Sequence, residues 1–348
     1  MNKDIKVLIA YNIPIKGHKK LEKQESSTTS DGFNIEASEL SAIEEYEEIK
    51  EILTSQGLKA YTLNMMDDID KLIQVITNEQ IDVVFNFVES VGNDSTKEMY
   101  VAGLFELLEI PYTGCKPTTL GLCLNKHRAK LILRGAGFNV PNWRLYENPN
   151  KLIFNSPINF PVIVKPSRED ASIGINKDSV VYDEIELKKQ VEFLYEKFKQ
   201  PILVEEFIDG REINSAILGD KHKIALPLSE IDFSTLPEEL PKIVTYDGKW
   251  IKESVYYKGT IPICPAPIDQ ELEVEIKNIA LAATELFECR DYCRVDLRID
   301  KNNVPYILEI NPNPDLSIDA GFARAAKAYG LNYDELLLRL IEFALERR

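Results

Sequence analysis

The chain has 348 residues, 44% of them hydrophobic, which predicts a globular protein of two or three domains. Its formal net charge of −16 argues against a nucleic-acid partner, because nonspecific nucleic-acid binding needs a basic surface. No apolar run reaches the length of a membrane span and the first residues lack a signal-peptide layout, so we expect a cytoplasmic protein without a membrane partner. Five scattered cysteines fit reduced thiols, and three histidines argue against a histidine-based metal site or catalytic triad.

The first third of the chain alternates strands with helices. An apolar run over 5–11 predicts a buried strand, and the polar residues 12–37 predict a long loop. Further strands are predicted over 58–64 and 81–87, with helices over 37–57, 67–80 and 95–110. This alternation indicates a doubly wound parallel sheet in a domain that ends near residue 115.

The rest of the chain mixes strands and helices without an internal repeat. Residues 229–262 show no clear period, which predicts an irregular stretch. The predicted helices are two segments between 117 and 138 and longer ones over 183–199, 269–287 and 332–347. The predicted strands cover 160–167, 201–208, 210–219 and a hairpin over 291–311. The fold class is therefore α/β in the first domain and α+β beyond it.

Two segments near the C terminus, DYCRVDLRID and NVPYILEIN, predict a β-hairpin. Asparagine tolerates the positive φ of a tight turn, so we place a two-residue turn at Asn302–Asn303. This register sets Asp296 opposite Glu309 and Arg294 opposite Asn311. Period-2 alternation puts these four side chains on one face of the hairpin. The predicted opposite face carries Cys293, Val295, Leu297, Leu308 and Ile310.

The polar face of this hairpin predicts a metal site. Carboxylates that face each other across a strand pair repel unless a cation lies between them. Asp296 and Glu309, with the amide of Asn311, are oxygen donors of the kind that Mg²⁺ takes, and Arg294 would add a fixed positive charge. The prolines that follow would hold the exit of the strand. The alternative is a solvated strand face on which two carboxylates meet by chance.

Two lysines lie where a phosphate group can be held. Lys165 ends the strand of FPVIVKPSREDASIG and precedes a polar loop that Gly174 closes, although a Walker A glycine pattern is absent. Lys126 lies near a helix start, where the helix dipole disfavours a cation unless an anion is bound nearby. Downstream, ILVEEFIDGRE can present strand backbone to an adenine edge and Glu212 to ribose hydroxyls. Surface lysines and an ordinary edge strand are the alternatives.

Taken together and in this order, these segments resemble the ATP-grasp superfamily, in particular D-alanine–D-alanine ligases and their relatives. The resemblance covers nearly the whole chain and rests on VVFNFVE, LEIPYTGC, LCLNKHRAKLILRGAGFNVP, FPVIVKPSREDASIG, ILVEEFIDGREINSAILG, DYCRVDLRID and LEINPNPDLS. It implies a three-domain ATP-grasp fold, with domains over 1–115, 116–202 and 203–348. It also implies an ATP-dependent carboxylate–amine ligase that works through an acyl phosphate, with ATP and one or two Mg²⁺ as cofactors.

The resemblance implies a role for each matching residue. Lys126 and Lys165 would hold the α- and β-phosphates, Lys249 the γ-phosphate, Glu212 the ribose, and Arg294 the charge that develops during the reaction. The implied cofactor-binding residues are Lys126, Lys165, Ser167, Ser172, Ile173, Gly174, Glu205, Glu206, Phe207, Ile208 and Glu212. The implied metal ligands are Asp296, Glu309 and Asn311. The implied catalytic residues are Arg294, Lys249 and Ser172.

The chain departs from the D-alanine-specific enzymes around the amino-acid pocket. Where those enzymes commonly read SREGSS this chain reads SREDAS, and Trp250 follows the closing-loop lysine where they have a tyrosine. Asp315 takes the position of a glycine in the turn after the metal asparagine, and NFVESVGND, with Glu89, replaces the usual HG…EDG pattern. The predicted substrate site consists of Glu89, Trp250, Asp315 and Ser317. Glu89 and Asp315 suggest a cationic group on one substrate.

The expected substrates are thus an amino acid or small carboxylate and an amine, and they need not be two D-alanines. An alternative function is a non-catalytic or regulatory ATP-binding protein that retains the fold, although such a protein needs no complete metal set. A third is a kinase that releases the acyl phosphate without an amine acceptor. Relatives are often dimers, so the resemblance allows a homodimer.

Overall fold

Residues 4–13 and 35–347 are described by the structure, a computed structural model, and the chain divides into two compact units. One unit comprises residues 1–118 and 331–348, and the other comprises residues 119–330. The predicted first boundary, at 115, lies close to the junction at 118. The last helix groups with the first unit, although the resemblance had placed it in the third segment. A further division of the second unit at 202 stays a prediction.

The described secondary structure is numbered in chain order. The strands are β1 (Lys6–Tyr11), β2 (Lys59–Asn64), β3 (Val83–Phe87), β4 (Trp143–Asn148), β5 (Lys151–Phe154), β6 (Val162–Pro166), β7 (Val180–Val181), β8 (Ile202–Glu206), β9 (Gly210–Leu218), β10 (Ile224–Ala225), β11 (Ser229–Asp232), β12 (Ile261–Ile263), β13 (Tyr292–Asp300) and β14 (Pro305–Asn311). The helices are α1 (Ile35–Ser55), α2 (Ile69–Asn78), α3 (Glu98–Leu107), α4 (Pro117–Leu124), α5 (Lys126–Gly135), α6 (Glu184–Phe198), α7 (Tyr246–Trp250), α8 (Val255–Gly259), α9 (Gln270–Leu286), α10 (Gly321–Tyr329) and α11 (Tyr333–Glu346).

The first unit is built on a parallel sheet with strand order β2-β1-β3. Residues 7–10 of β1 are fully buried, as expected for the central strand of a sheet that helices cover. Contacts join α1 to β2, α11 to β3, and α1 to α11. The predicted parallel sheet is confirmed. The loop predicted over 12–37 lies largely outside the described residues.

The second unit contains two antiparallel sheets. One has the order β5-β4-β8-β6-β7 and the other β12-β11-β9-β13-β14, with β10 paired to β9. Helix α6 covers one face of the first sheet, because alternate residues of β6 and β8 are apolar and pack against Leu187, Val191 and Leu194. The intervening residues of β6 and β8, which include Lys165 and Glu205, therefore face the other side. The predicted fold class, α/β in the first domain and α+β beyond it, is confirmed.

Short elements account for the main differences from the predicted secondary structure. Residues 229–262 were predicted to be irregular, but they contain β11, α7, α8 and β12. One-turn helices and strands of three or four residues are too short to show a hydrophobic period. Thr245 and Ser254 cap α7 and α8 by accepting hydrogen bonds from the amides of Gly248 and Tyr257. Helix α10 was also not predicted. No described helix is long and apolar enough to cross a bilayer.

Candidate active site

The predicted hairpin pairs Asp296 with Glu309 and Arg294 with Asn311, as the sequence indicated. The predicted two-residue turn is wrong, because the amide of Val304 bonds to the Asp300 carboxylate and three residues, 301–303, form the loop. Asn303 supplies the positive φ, at 61°. A register shift between Asp296 and Leu297 places one extra residue in β14 and restores the predicted pairing beyond it.

That register shift also changes which residues of β14 are buried. Leu297 pairs with Ile307, and Asp296 pairs with Glu309, so Leu308 is the extra residue. Ile307 is buried and Leu308 is only half-buried. The prediction that Leu308 lies with Ile310 on the apolar face is therefore wrong, and Ile307 takes that place.

Side chains of three adjacent strands form rows on the polar face of this sheet. Along β13, the period of two places Arg294, Asp296 and Arg298 on the same face. Asp296 pairs with Asn214 of β9 on one side and with Glu309 of β14 on the other. Since successive residues on one face are separated by about 6.7 Å, positions 294 and 298 lie roughly 13 Å apart along the strand.

The Asp296 carboxylate is the centre of a hydrogen-bond network. Arg294 donates to its two oxygens from Nε and Nη2, at 2.6 and 2.8 Å. Asn214 donates to Oδ1 at 2.8 Å, and Asn311 donates to Oδ2 at 2.9 Å. Burial opposes the charge on Arg294, but Asp296 and then Glu309 raise the pKa of that guanidinium further. These four hydrogen bonds hold the Asp296 carboxylate in position.

Glu309 lies among cations from four different segments of the chain. Its carboxylate lies 3.2 Å from the ammonium group of Lys126. Burial opposes its ionisation, but Lys126, Lys165, Lys249 and Arg294 hold the pKa of Glu309 well below its usual value. A carboxylate in such a field carries its charge at any physiological pH.

Lys126 begins α5 and has two carboxylate neighbours. Its ammonium group lies 2.7 Å from Asp170 and 3.2 Å from Glu309. Burial opposes this charge, but Asp170 and Glu309 raise the pKa of Lys126. The sequence indicated that a cation at this helix start needs an anion nearby, and in this structure Asp170 and Glu309 are those anions.

Glu205 is a fully buried carboxylate between two lysines. Its oxygens lie 3.0 Å from Lys130 and 2.9 Å from Lys165. Burial opposes ionisation, yet the two lysines hold the pKa of Glu205 below its usual value. Because two ammonium groups share one carboxylate, burial outweighs the attraction at Lys130 and lowers its pKa to about 8. The Glu205 side chain therefore orients Lys165.

The loop after Lys165 is shaped by backbone geometry. Its last residue, Gly174, has φ of 82°, and a Cβ there would lie 2.7 Å from the ring of Pro166. Ser167 receives a hydrogen bond from the Lys126 amide at its carbonyl, and its own amide donates to Pro201. Ile173 and Ser172 line a cavity together with Lys126, Lys165, Asp170 and Glu309. The predicted phosphate loop and both predicted phosphate lysines therefore share one cavity.

The segment with Lys249 and Trp250 forms α7 and contacts the phosphate loop. The amide of Tyr246 donates to the carbonyl of Ile175 at 3.0 Å, and the rings of Tyr246 and Trp250 lie 6.4 Å apart. Lys249 is an exposed residue. Desolvation of its ammonium group, with the like charge of Arg294, lowers the pKa of Lys249. Lys249 thus belongs electrostatically to the Asp296–Glu309 cluster.

The residues predicted to bind the nucleoside extend from the end of β8 to the start of β9. The amides of Glu206 and Phe207 donate to the carbonyls of Asn142 and Pro161, and the Ile208 carbonyl accepts from Arg298. Arg298 also holds Glu212, at 2.9 Å. Glu205 differs from its predicted neighbours, because its side chain points to the two lysines.

The predicted substrate residues do not all lie in one unit. Glu89 follows β3 in the first unit, whereas Asp315, Ser317 and Trp250 belong to the second. The Asp315 carboxylate accepts hydrogen bonds from the amide and the hydroxyl of Ser317. Asp315 is also close enough to raise the pKa of Arg294, after burial and the stronger contributions of Asp296 and Glu309.

Sequence reasoning missed three residues of this site: Lys130, Asn214 and Arg298. Lys130 follows Lys126 by one helical turn, and that spacing was the available signal. Asn214 and Arg298 share a sheet face with the predicted residues at period two, which could also have found them.

The donor set fits a magnesium ion. Asp296 and Glu309 supply carboxylate oxygens and Asn311 an amide group on neighbouring strands, and cations balance their charge. No group of three or more His, Cys, Asp or Glu side chains gathers into a metal site within residues 4–13 and 35–347. A metal ion here would therefore need ligands from outside the protein, such as phosphate oxygens and water.

Two antiparallel sheets that bring lysines, a polar loop and a carboxylate hairpin together define an ATP-grasp protein. A family model described as D-ala D-ala ligase C-terminus matches residues 132–342. The chain therefore belongs to the D-alanine–D-alanine ligase family and is an ATP-dependent ligase of that type. The predicted family and enzyme class are confirmed.

Individual relatives agree with this assignment. A D-alanine–D-alanine ligase of Nitrosospira multiformis is 34% identical over 254 residues, which are 73% of this chain and 76% of that protein. The ligase of Carboxydothermus hydrogenoformans is 31% identical over 299 residues, 83% of this chain and 90% of that protein. The crystal structure of the Bacillus anthracis ligase complexed with ATP matches with a TM-score of 0.71 and 23% identity, covering 99% and 98% of the two chains.

Proposed function

We propose that the chain binds ATP and Mg²⁺ and joins a carboxylate to an amine through an acyl phosphate. The observation that carries this proposal is the position of Glu309, which pairs with Asp296 and lies in the field of four cations. Phosphoryl transfer needs charge neutralisation and positioning more than a nucleophilic side chain. The second unit brings these carboxylates and cations together from neighbouring strands and helices.

The reaction proceeds in two displacements. A carboxylate oxygen of the first substrate attacks the γ-phosphorus of ATP, and the bond to the leaving ADP oxygen breaks. The amine nitrogen of the second substrate then attacks the acyl carbon, the carbon–oxygen bond to phosphate breaks, and the amine loses a proton. The products are an amide, ADP and inorganic phosphate.

The cations divide these tasks by position. Lys126 and Lys165 neutralise the α- and β-phosphates, and Lys249 reaches the γ-phosphate from α7. Arg294 stabilises the negative oxygen of the tetrahedral intermediate. Asp296, Glu309 and Asn311 would hold Mg²⁺, which would supply charge neutralisation for the phosphoryl transfer. The contact of Tyr246 with Ile175 keeps α7 against the phosphate loop, which protects the acyl phosphate from water.

The amino-acid pocket is proposed to accept a substrate with a cationic group. Asp315 stands near Arg294, and a second carboxylate close to an acceptor carboxylate is unfavourable unless a cation intervenes. A lysine-like or other diamino substrate supplies that cation.

A substrate screen tests this specificity. ATP hydrolysis is measured with single amino acids and small carboxylates, for the unaltered protein and for Asp315→Gly. We expect the best turnover with a cationic substrate and a shift toward neutral amino acids in the variant. Best turnover with D-alanine alone would defeat the proposed specificity while leaving the ligase chemistry intact.

The variant Glu309→Gln tests the chemistry itself. It keeps the size of the side chain but removes one metal-binding charge, so turnover should fall by about 10²-fold or more. Glu271→Gln, an exposed carboxamide substitution on α9, is the matched control and should leave turnover unchanged. Equal activity of both variants would contradict a metal-dependent ligase and favour a non-catalytic ATP-binding protein.

A further inference from the structure

Arg298 is a buried arginine whose guanidinium joins three separate segments. It is 3% exposed and pairs directly with Glu212 across β13 and β9. Nη2 lies 2.9 Å from the Glu212 carboxylate, and Nη1 donates to the Ile208 carbonyl at 2.9 Å. Nη2 also donates to the carbonyl of Lys242. The guanidinium carbon lies 4.7 Å from the ring centroid of Phe207.

The Glu212 carboxylate is held through one of its two oxygens. Both contacts from Arg298 reach Oε2, whereas Oε1 accepts no hydrogen bond from any described residue. A carboxylate oxygen that is fixed in place and still has its lone pairs is a ready acceptor for a hydroxyl group. The ribose of a nucleotide carries two neighbouring hydroxyl groups that can donate to such an oxygen.

The contact with Lys242 extends this arrangement to the segment that precedes α7. That segment contributes Ile243 to an apolar cluster with Val180, Phe233, Leu236 and Tyr256. Lys249 follows Lys242 by seven positions. A rigid planar fork can hold three acceptors in one plane, whereas an ammonium group on a flexible stem cannot fix them together.

We propose that Arg298 is a positioning residue that orients Glu212 toward the ribose of the nucleotide and anchors the segment leading to Lys249. This inference rests on the proposed ATP-dependent function. The Arg298 side chain then controls both the recognition of the nucleoside and the ordering of Lys249, the lysine proposed to bind the γ-phosphate. Loss of Arg298 thus weakens discrimination at the ribose and loosens the segment around α7.

The test compares nucleotides on three proteins. Dissociation constants for Mg·ATP, Mg·2′-deoxy-ATP, Mg·3′-deoxy-ATP and Mg·tripolyphosphate are measured for the unaltered protein, Arg298→Met and Arg298→Lys. Trp250 fluorescence serves as the readout, with the same titrations on Trp250→Phe to measure the contribution of Trp143, the other tryptophan. Arg339→Met, an exposed arginine on α11, is the matched control.

We expect Arg298→Met to weaken Mg·ATP binding about tenfold or more, and Mg·tripolyphosphate binding by clearly less, because tripolyphosphate lacks the nucleoside and reports only the effect on Lys249. The preference for ATP over the deoxy nucleotide that lacks the Glu212-contacting hydroxyl should fall toward one. Arg298→Lys should restore only a minor part of this loss. Proteolysis within residues 240–263 should be faster in Arg298→Met than in the control.

Three results separate the possible failures. If the unaltered protein binds no nucleotide, the proposed function fails. If it binds ATP but Arg298→Met keeps the same preference between ATP and both deoxy nucleotides, the positioning role is wrong. Should Arg298→Met not fold, an unchanged preference in Arg298→Lys overturns the role in the same way. A loss of Mg·tripolyphosphate binding equal to that of Mg·ATP would also overturn it, because the effect would then not come from the nucleoside.

Discussion

The Lys126 ammonium group lies 2.7 Å from the Asp170 carboxylate, although the two residues are 44 positions apart. Asp170 stands where related D-alanine-specific enzymes commonly have glycine. The Asp170 carboxylate therefore already pairs with the Lys126 ammonium group, which is proposed to bind ATP phosphates. A nucleotide that binds Lys126 has to displace or share this contact.

The first prediction follows from that competition. Asp170→Asn removes the competing charge at nearly constant size, so Mg·ATP should bind about three- to tenfold more tightly. Isothermal titration calorimetry measures the change. Asp178→Asn, an exposed carboxylate a few residues beyond the loop, is the matched control and should bind as the unaltered protein does. Weaker binding in Asp170→Asn would show that this carboxylate assists the nucleotide.

The second prediction concerns pH and Lys130. Burial lowers the pKa of Lys130 to about 8, below the 10.5 of an unfolded lysine. Between these values the unfolded chain binds more protons, so the stability that Lys130 contributes rises with pH and is lost as pH falls through 8. From pH 7 to pH 10 the unaltered protein should gain on the order of 2 kcal/mol relative to Lys130→Met, a few degrees in melting temperature.

Melting curves of both proteins at pH 7 and pH 10 check this sign, because titrating groups away from Lys130 are common to the two proteins and cancel in the comparison. Lys188→Met, at an exposed position on α6, controls for loss of a surface lysine. A relative gain for Lys130→Met as pH rises would mean that Lys130 is stabilised, instead of destabilised, as a cation.

The third prediction tests the contact between β9 and β13. A Cβ on Gly210 would lie 1.9 Å from the backbone carbonyl oxygen of Ile299, so Gly210→Ala forces the two strands apart. We expect a loss of about 2–3 kcal/mol in stability and a higher KM for ATP, because Glu212 follows two residues later. Gly321→Ala meets no atom within 4 Å at the start of α10 and should be neutral or slightly stabilising. Equal melting temperatures for the two variants would contradict this role of Gly210.

Local patterns carried much of what could be predicted. The hairpin pairs Asp296 with Glu309 because strands joined by a short turn have few registers that bury one face. Even there, the turn prediction failed, since a three-residue loop and a bulge at Leu308 give the same final register as a two-residue turn with no bulge. Because the longer loop and the bulge compensate each other, the alternation of apolar and polar residues in the sequence reveals neither of them.

Long-range pairings were beyond local reasoning. Arg298 faces Glu212 across 86 positions, and no turn joins their strands to set the register. Lys130 of α5 approaches Glu205 of β8 only in the tertiary structure, because the two residues lie far apart in the chain. The roles of these residues came instead from the coordinates, whereas the family resemblance supplied the predicted metal and phosphate groups.

Product analysis tests most directly whether this chain condenses two substrates at the expense of ATP, as we propose. The protein is incubated with ATP, Mg²⁺ and pooled amino acids, and products are identified by mass spectrometry. We expect a new amide with the mass of two substrates less one water, in equal amount to ADP and inorganic phosphate, and none with Glu309→Gln. ADP formation without any condensed product, or intact ATP under all substrate combinations, would contradict it.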